Sequence, residues 1–230
     1  MTVRHPITPE QRHSAIVDHI VADLRPVRPR LSVGLRLALW LIVDLIVAAW
    51  VTAHSRADLS SMLHRPDYLL ELLFFGGAAT LAAHLALRSA VPGLALSKGE
   101  TGLTLTLALA GIWLLTRVPI KPDYPLDTFV RTGLPCAFGT TLFATAPWIG
   151  LAWAVARNAP LRGFISGMLV GGGAMLFSFA VMRVECPVDE PLHLFTWHVA
   201  PAVLLIMVST FIGGWLLRFR PSLKLTPAHS

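Results

Sequence analysis

Residues 35–53 read LRLALWLIVDLIVAAWVTA, nineteen positions with two charges, Arg36 at the entry and Asp44 in the middle. A membrane-crossing helix needs about 20 mostly apolar residues, and this stretch supplies them. Working outward, five more stretches share that length and character: Tyr68–Arg88, Glu100–Val118, Thr132–Ala156, Leu161–Met182 and Phe195–Leu217. The separators are His54–Asp67, Val91-Pro92-Gly93, Pro119–Pro125, Asn158-Ala159-Pro160 and Glu185–Pro191. Proline has no N–H and restricts the residue before it, so these clusters favour breaks. The third span is the most polar, with Thr101, Thr104 and Thr106 at its entry. The fold expected is all-α: a polytopic membrane protein with six transmembrane helices. Residues 1–34 form an amphipathic cytoplasmic segment, 35–217 the helical domain, and 218–230 a short basic cytoplasmic tail.

Composition narrows the choice in the same direction. Of the 230 residues 54% are apolar and 14% charged, whereas a soluble domain carries about a quarter charged residues. So little charge cannot solvate a globule, which excludes a soluble enzyme, a disordered chain and a collagen-like one. Two cysteines cannot build a disulfide framework, although they suffice for one bridge or one metal site. The first apolar run begins too late for a signal peptide and is followed by five more.

Six spans place both termini on one side, and the Lys/Arg bias selects it. Arg56, Arg65, Arg117, Lys121, Arg131 and Arg183 fall on one face, and the other thirteen of the nineteen cations on the face of the termini. Positive charge stays inside, so the termini are expected in the cytoplasm.

Residues 8–24, TPEQRHSAIVDHIVADL, read as a short helix. Thr8 and Gln11 make a capping box, and Pro9 suits the first helical position. Ile16, Val17, Ile20, Val21 and Leu24 form one apolar stripe. It can lie on anionic lipid or offer Ile16, Ile20 and Leu24 to the groove of a soluble partner. No catalytic apparatus is present here or in another cytoplasmic domain, so no enzyme is expected.

On the opposite face, Glu185-Cys186-Pro187-Val188-Asp189-Glu190-Pro191-Leu192-His193 joins the last two spans, and Trp197 and His198 follow. Cys136 lies near the same end of the fourth span. Thiolate is a soft ligand and imidazole an intermediate one, so Cys136, Cys186, His193 and His198 can hold a soft or borderline metal ion, bound transiently. The two thiols can instead cycle between dithiol and disulfide in an oxidising periplasm. A third reading leaves them as small buried residues beside an acidic loop.

Polar groups inside the spans are Asp44 and His84, with Glu71 nearer the second span's outer end. Such groups face protein or water, so Asp44 and His84 can pair structurally or mark the path of a small transporter or channel. Gly171-Gly172-Gly173 permits close helix packing, and Trp148, Trp153, Trp197 and Trp215 suit interfacial anchoring.

At its Cys-Pro segment the chain resembles the NrsF family of bacterial membrane anti-sigma factors, and the resemblance runs over nearly the full length. It includes the stretch Pro26–Pro29, six spans, Cys136, and the run Cys186, Pro187, Glu190, Pro191, Trp197 and His198. His198 stands where many relatives carry an aromatic residue. The resemblance implies a protein that holds an extracytoplasmic-function sigma factor inactive through its cytoplasmic face, with no direct contact to nucleic acid. It also implies that Cys136 and Cys186 take part in sensing heavy metals or oxidative stress. A transporter using Asp44 and His84 is the rival from another class, and a thiol oxidoreductase is disfavoured by the single cysteine pair.

Overall fold

The computed structural model describes residues 13, 14, 17, 18 and 21, then 31–53, 56–94, 96–117, 125–158 and 162–218. Ile16, Ile20 and Leu24 of the expected stripe, and the basic tail from residue 219, lie outside the described residues. The chain divides into two compact units, Met1–Leu31 and Ser32–Ser230. In the first, the described positions are helical, and Val17 and Val21 of the stripe are 43% and 57% exposed.

The second unit is helical, with no strand among the described residues. Its elements are α1 (Val33–Thr52), α2 (Leu59–Met62), α3 (Pro66–Ser89), α4 (Lys98–Leu115), α5 (Leu126–Ala156), α6 (Gly163–Glu185), α7 (Pro191–Leu194), a π-helical segment Phe195–Val199, and α8 (Ala200–Arg218). Local chemistry sets the starts. Ser32 Oγ accepts from the Leu35 N–H and Ser97 Oγ from the Glu100 N–H, each at 3.2 Å, filling donors that a helix leaves open. Gly93, at φ +84°, makes the tight turn between α3 and α4, a conformation glycine adopts without steric cost.

Five stretches are long and apolar enough to cross a membrane: α1, α3, α5, α6 and Pro191–Trp215. The third expected span is the helix α4, 18 residues long, which is not among those five. Lys98, Glu100 and the three threonines keep it more polar, although Leu105, Leu109 and Trp113 are exposed on its surface.

Two starts differ from the sequence reading by four residues or more. The fourth span begins at Leu126 rather than Thr132 and continues through Pro135 and Pro147. Prolines persist in helices that neighbours pack against, and here Trp40 of α1 donates its indole N–H to the Pro147 carbonyl at 3.0 Å. The last helical run begins at Pro191, four residues before Phe195, because the Glu190 carboxylate caps it by accepting the His193 N–H at 2.9 Å.

The centre of the bundle is α6, which packs against α8, α3 and α5. Its glycines set the spacing. A Cβ on Gly167 would run into the Ser209 carbonyl of α8, and one on Gly171 would come within 2.8 Å of the Ser209 Cβ. Gly173 faces α3, where a Cβ would lie 3.2 Å from the Ala83 nitrogen, while Gly172 faces open space. Ser209 Oγ donates to the Gly167 carbonyl at 2.7 Å and accepts the Trp148 indole N–H at 2.9 Å. Of the four tryptophans expected at interfaces, Trp153 and Trp215 are exposed, whereas Trp148 is bonded between helices and Trp197 is turned inward.

Candidate thiol and metal site

The C-terminus of α6 and the N-termini of α3, α5 and α7 meet at one end of the bundle. Cys136 lies three turns into α5, Cys186 terminates α6, and His193 and His198 follow in α7 and the π-helical segment. A π turn carries one extra residue and recurs at functional sites. The two sulfurs are 3.4 Å apart, in contact and far from the roughly 2.05 Å of a disulfide. His193 Nε2 is 3.5 Å from Cys186 Sγ, and Thr140 Oγ1 is 3.5 Å from His198 Nδ1. All four side chains the sequence singled out therefore converge. Their donor atoms lie within 4.8 Å of one another.

That distance permits a test of fit. Tetrahedral bonds of about 2.0–2.3 Å to N and S ligands place donors about 3.3–3.8 Å apart. The S–S and S–N contacts already have that spacing, and the widest separation must close by about an ångström. Both histidines are fully buried, and His193 Nδ1 and His198 Nε2 have no hydrogen-bond partner among the described residues. Two thiols and two imidazoles, with buried ring nitrogens that lack protein partners among the described residues, fit a soft or borderline cation. Cys186 is the thiol that ionises first. Its hydrogen bond with Cys136 lowers its pKa most; burial opposes this, and the neighbouring His193 and His198 rings lower it further.

Packing closes the site. Phe129 meets Trp197 with ring centroids 5.4 Å apart and His193 edge-on at 6.4 Å, and Phe179 stands edge-on to His198 at 5.8 Å. Gly133 leaves room for Trp197, since any Cβ there would run into the indole. Val51 of α1, with Phe143 and Met182, packs in one apolar cluster with Cys186, and Cys136 lies against it.

Beside the thiols is an ionic network that the sequence reading passed over. Arg183 of α6 binds Glu71 of α3 through Nε and Nη2, and reaches Asp189 at 2.8 Å. Arg56 grips both oxygens of Asp189 at 2.9 Å and both oxygens of Asp58. Tyr68 donates its hydroxyl to the Arg183 carbonyl at 2.7 Å. Burial pushes the Asp189 pKa up, but the two guanidiniums hold it below the ordinary carboxylate value. A cavity of about 320 Å³ opens against this network, lined by Tyr68, Glu71, Arg183 and Asp189 among others. The available signal was an intramembrane Glu71 in the second span and an arginine, Arg183, at the end of the fifth, on the face poor in cations.

The other pair singled out from the sequence is not formed. His84 Nε2 is 3.7 Å from Glu100 Oε1, and Arg88 binds the other oxygen of that carboxylate at 2.6 Å. Asp44 is buried, and neither oxygen has a partner among the described residues. Trp40, one turn away on the same face, contacts Pro147 and Phe177, so this face of α1 turns to α5 and α6. His84 sits beside α4 instead.

No curated protein and no solved structure matches the chain. A family does. Five membrane-length helices, a closed dithiol–imidazole site and a Cys-Pro loop pinned by arginines make up the unit whose residues, within the span 20–219, match the model of NrsF, negative regulator of sigma F, and the chain belongs to that family.

Proposed function

We propose that this protein is an integral anti-sigma factor of the bacterial inner membrane. It sequesters an extracytoplasmic-function sigma factor and releases it when metal or oxidant reaches the thiols. The helical domain crosses the bilayer six times, α4 included, with both termini in the cytoplasm and the thiol end in the periplasm. The Ile16, Ile20 and Leu24 stripe docks the sigma factor, and the protein neither catalyses a reaction nor touches nucleic acid. The observation that carries the sensing half is the convergence of Cys136, Cys186, His193 and His198 within 4.8 Å. These four side chains would hold the ion, drawing together helices α5, α6 and α7. An input changes binding only by favouring one of two packings over the other, and helix ends joined by a metal provide such a difference.

The test is co-purification of a sigma factor with the full chain from membrane extracts, with and without cadmium. Cadmium should release the partner from the wild type. Cys136→Ser and Cys186→Ser should each abolish release, and the double variant should be no worse, because members of one unit fail together. Normal release from both single variants, with cadmium and with peroxide, would make the cysteines packing residues. Replacing Ile20 and Leu24 by Asp should abolish capture while the protein still inserts, since each buried aliphatic side chain is worth about 1.5–3 kcal/mol. Reporter fusions after Arg220 and within Arg157–Arg162 should be cytoplasmic, and those within Pro122–Thr128 periplasmic.

A further inference from the structure

We infer that Arg56 couples the thiol site to α1, so that a displacement at Cys186 is passed to the first helix. The inference rests on the thiol reading above and adds its route of transmission.

Arg56 follows the end of α1 by four residues, and its side chain is 2% exposed. Its backbone N–H meets the Val184 carbonyl at 3.4 Å. Nη1 donates to the Cys186 carbonyl at 3.0 Å and Nη2 to the Pro187 carbonyl at 3.4 Å. The same two nitrogens hold the Asp189 carboxylate in a bidentate grip. One planar fork thus fixes the loop that carries the sulfur at three of its residues, the task for which guanidinium geometry is suited.

Close to that fork, α1 lies directly on the site. Val47, Ala48 and Val51 pack in the apolar cluster that holds Cys136 and Cys186. On its outer side α1 is uncovered by the bundle: Leu39, Leu45 and Ile46 are exposed, and the buried Asp44 contributes no bond. Its other seat is at the far end, where Trp40 packs with Val33, Leu37 and Leu41 in a second apolar cluster and bonds Pro147. Drawing four donors from 4.8 Å to tetrahedral spacing moves Cys186 or its neighbours by about an ångström. The Cys186 carbonyl is bonded to Arg56, so that motion loads the Arg56 fork. Arg183 also holds Asp189 but ties it to Glu71 of α3, so it anchors the loop without involving α1.

The experiment measures hydrogen exchange along residues 45–53 in the purified full chain, before and after cadmium, with cadmium–thiolate absorbance reporting occupancy. In the wild type and in Asp58→Asn, which leaves the grip on the loop intact, cadmium should change exchange by about threefold or more. In Arg56→Gln the absorbance should still appear, while the α1 response shrinks clearly below that of the wild type, leaving only what passes through Val47, Ala48 and Val51. Arg56→Lys keeps the charge but loses the fork; it should respond weakly, and it serves if Arg56→Gln does not accumulate. A full response in both Arg56 variants, or none in an occupied wild type, overturns the coupling and leaves the metal reading standing. Absence of cadmium–thiolate absorbance in the wild type overturns both.

Discussion

Helices α1 and α6 are comparably apolar, yet they occupy opposite positions in the bundle. Of the apolar window of α6, 61% is buried inside the protein, against 11% for α1. The difference lies in small residues. Gly167, Gly171, Gly173, Ser166 and Ser178 of α6 let neighbouring backbones approach, whereas α1 presents Leu, Ile and Trp side chains. Lipid tails are as apolar as leucine, so in a bilayer hydrophobicity does not draw helices together; close packing and interhelical hydrogen bonds do. The same division separates the charges. The buried Arg183 at the end of α6 is fully engaged, while the carboxylate of α1 is not.

The largest expected effect strikes the engaged side of that comparison. Glu71→Ala leaves the Arg183 guanidinium buried with only part of its counter-charge, and breaking a buried pair costs about 3–5 kcal/mol. The unfolding midpoint in detergent should fall sharply, whereas Leu45→Ala on α1, 67% exposed, should stay within about 0.5 kcal/mol. Equal losses at both positions would break the contrast between the helices.

A smaller effect tests the spacing itself. Gly167→Leu forces the α6–α8 contact apart, and overpacking costs about 1–3 kcal/mol or more. Gly172→Leu points into open space and should leave the yield of monodisperse protein unchanged. Loss at Gly172 would mean that a surface of α6 taken as free is occupied in the membrane.

The sequence was most legible where one physical variable decides. Length and hydropathy placed the helices, five of them long and apolar enough to cross a membrane, and helix α4 occupies the stretch read as the third. The shared depth of Cys136 and Cys186, together with the ligand chemistry of His193 and His198 just after Cys186, was enough to name a candidate cluster whose donors do converge. Helix starts were less legible, because Glu190 acts as a cap only once its loop is folded back. The Arg56–Asp189–Arg183–Glu71 network could not be read from periodicity. Its members come from four separate segments, and counting Arg56 and Arg183 as loop cations hid their partners. The Asp44–His84 pairing failed for a related reason: depth in the bilayer is legible, but the azimuth of each helix is set by packing.

Asp44 sharpens the comparison from the α1 side. A buried polar group without a partner costs about 1–3 kcal/mol, and an apolar replacement of similar shape removes that cost. Asp44→Leu should therefore raise the midpoint, the opposite sign from Glu71→Ala. A fall would show that the carboxylate has a partner in the membrane, and α1 would then be seated by more than apolar contact.

The smallest effect is that of pH, and it acts through the loop that follows α6. Asp189 has its pKa held below the ordinary carboxylate value by Arg56 and Arg183, against burial. A group whose folded pKa is depressed binds fewer protons in the folded state. Its contribution is present above the unfolded value of about 3.9 and is lost as pH falls through the folded one. Stability should therefore be flat in this respect from about pH 8 to pH 5, and decline only below about pH 4. In Asp189→Asn that acid limb should shrink, because the titrating group is gone, while the midpoint at neutral pH drops. The subtraction of the two profiles isolates the loop from the other carboxylates. If the acid limb is unchanged in Asp189→Asn, the two arginines do not hold this residue in its charged form, and the end of α6 is less fully engaged than its geometry indicates.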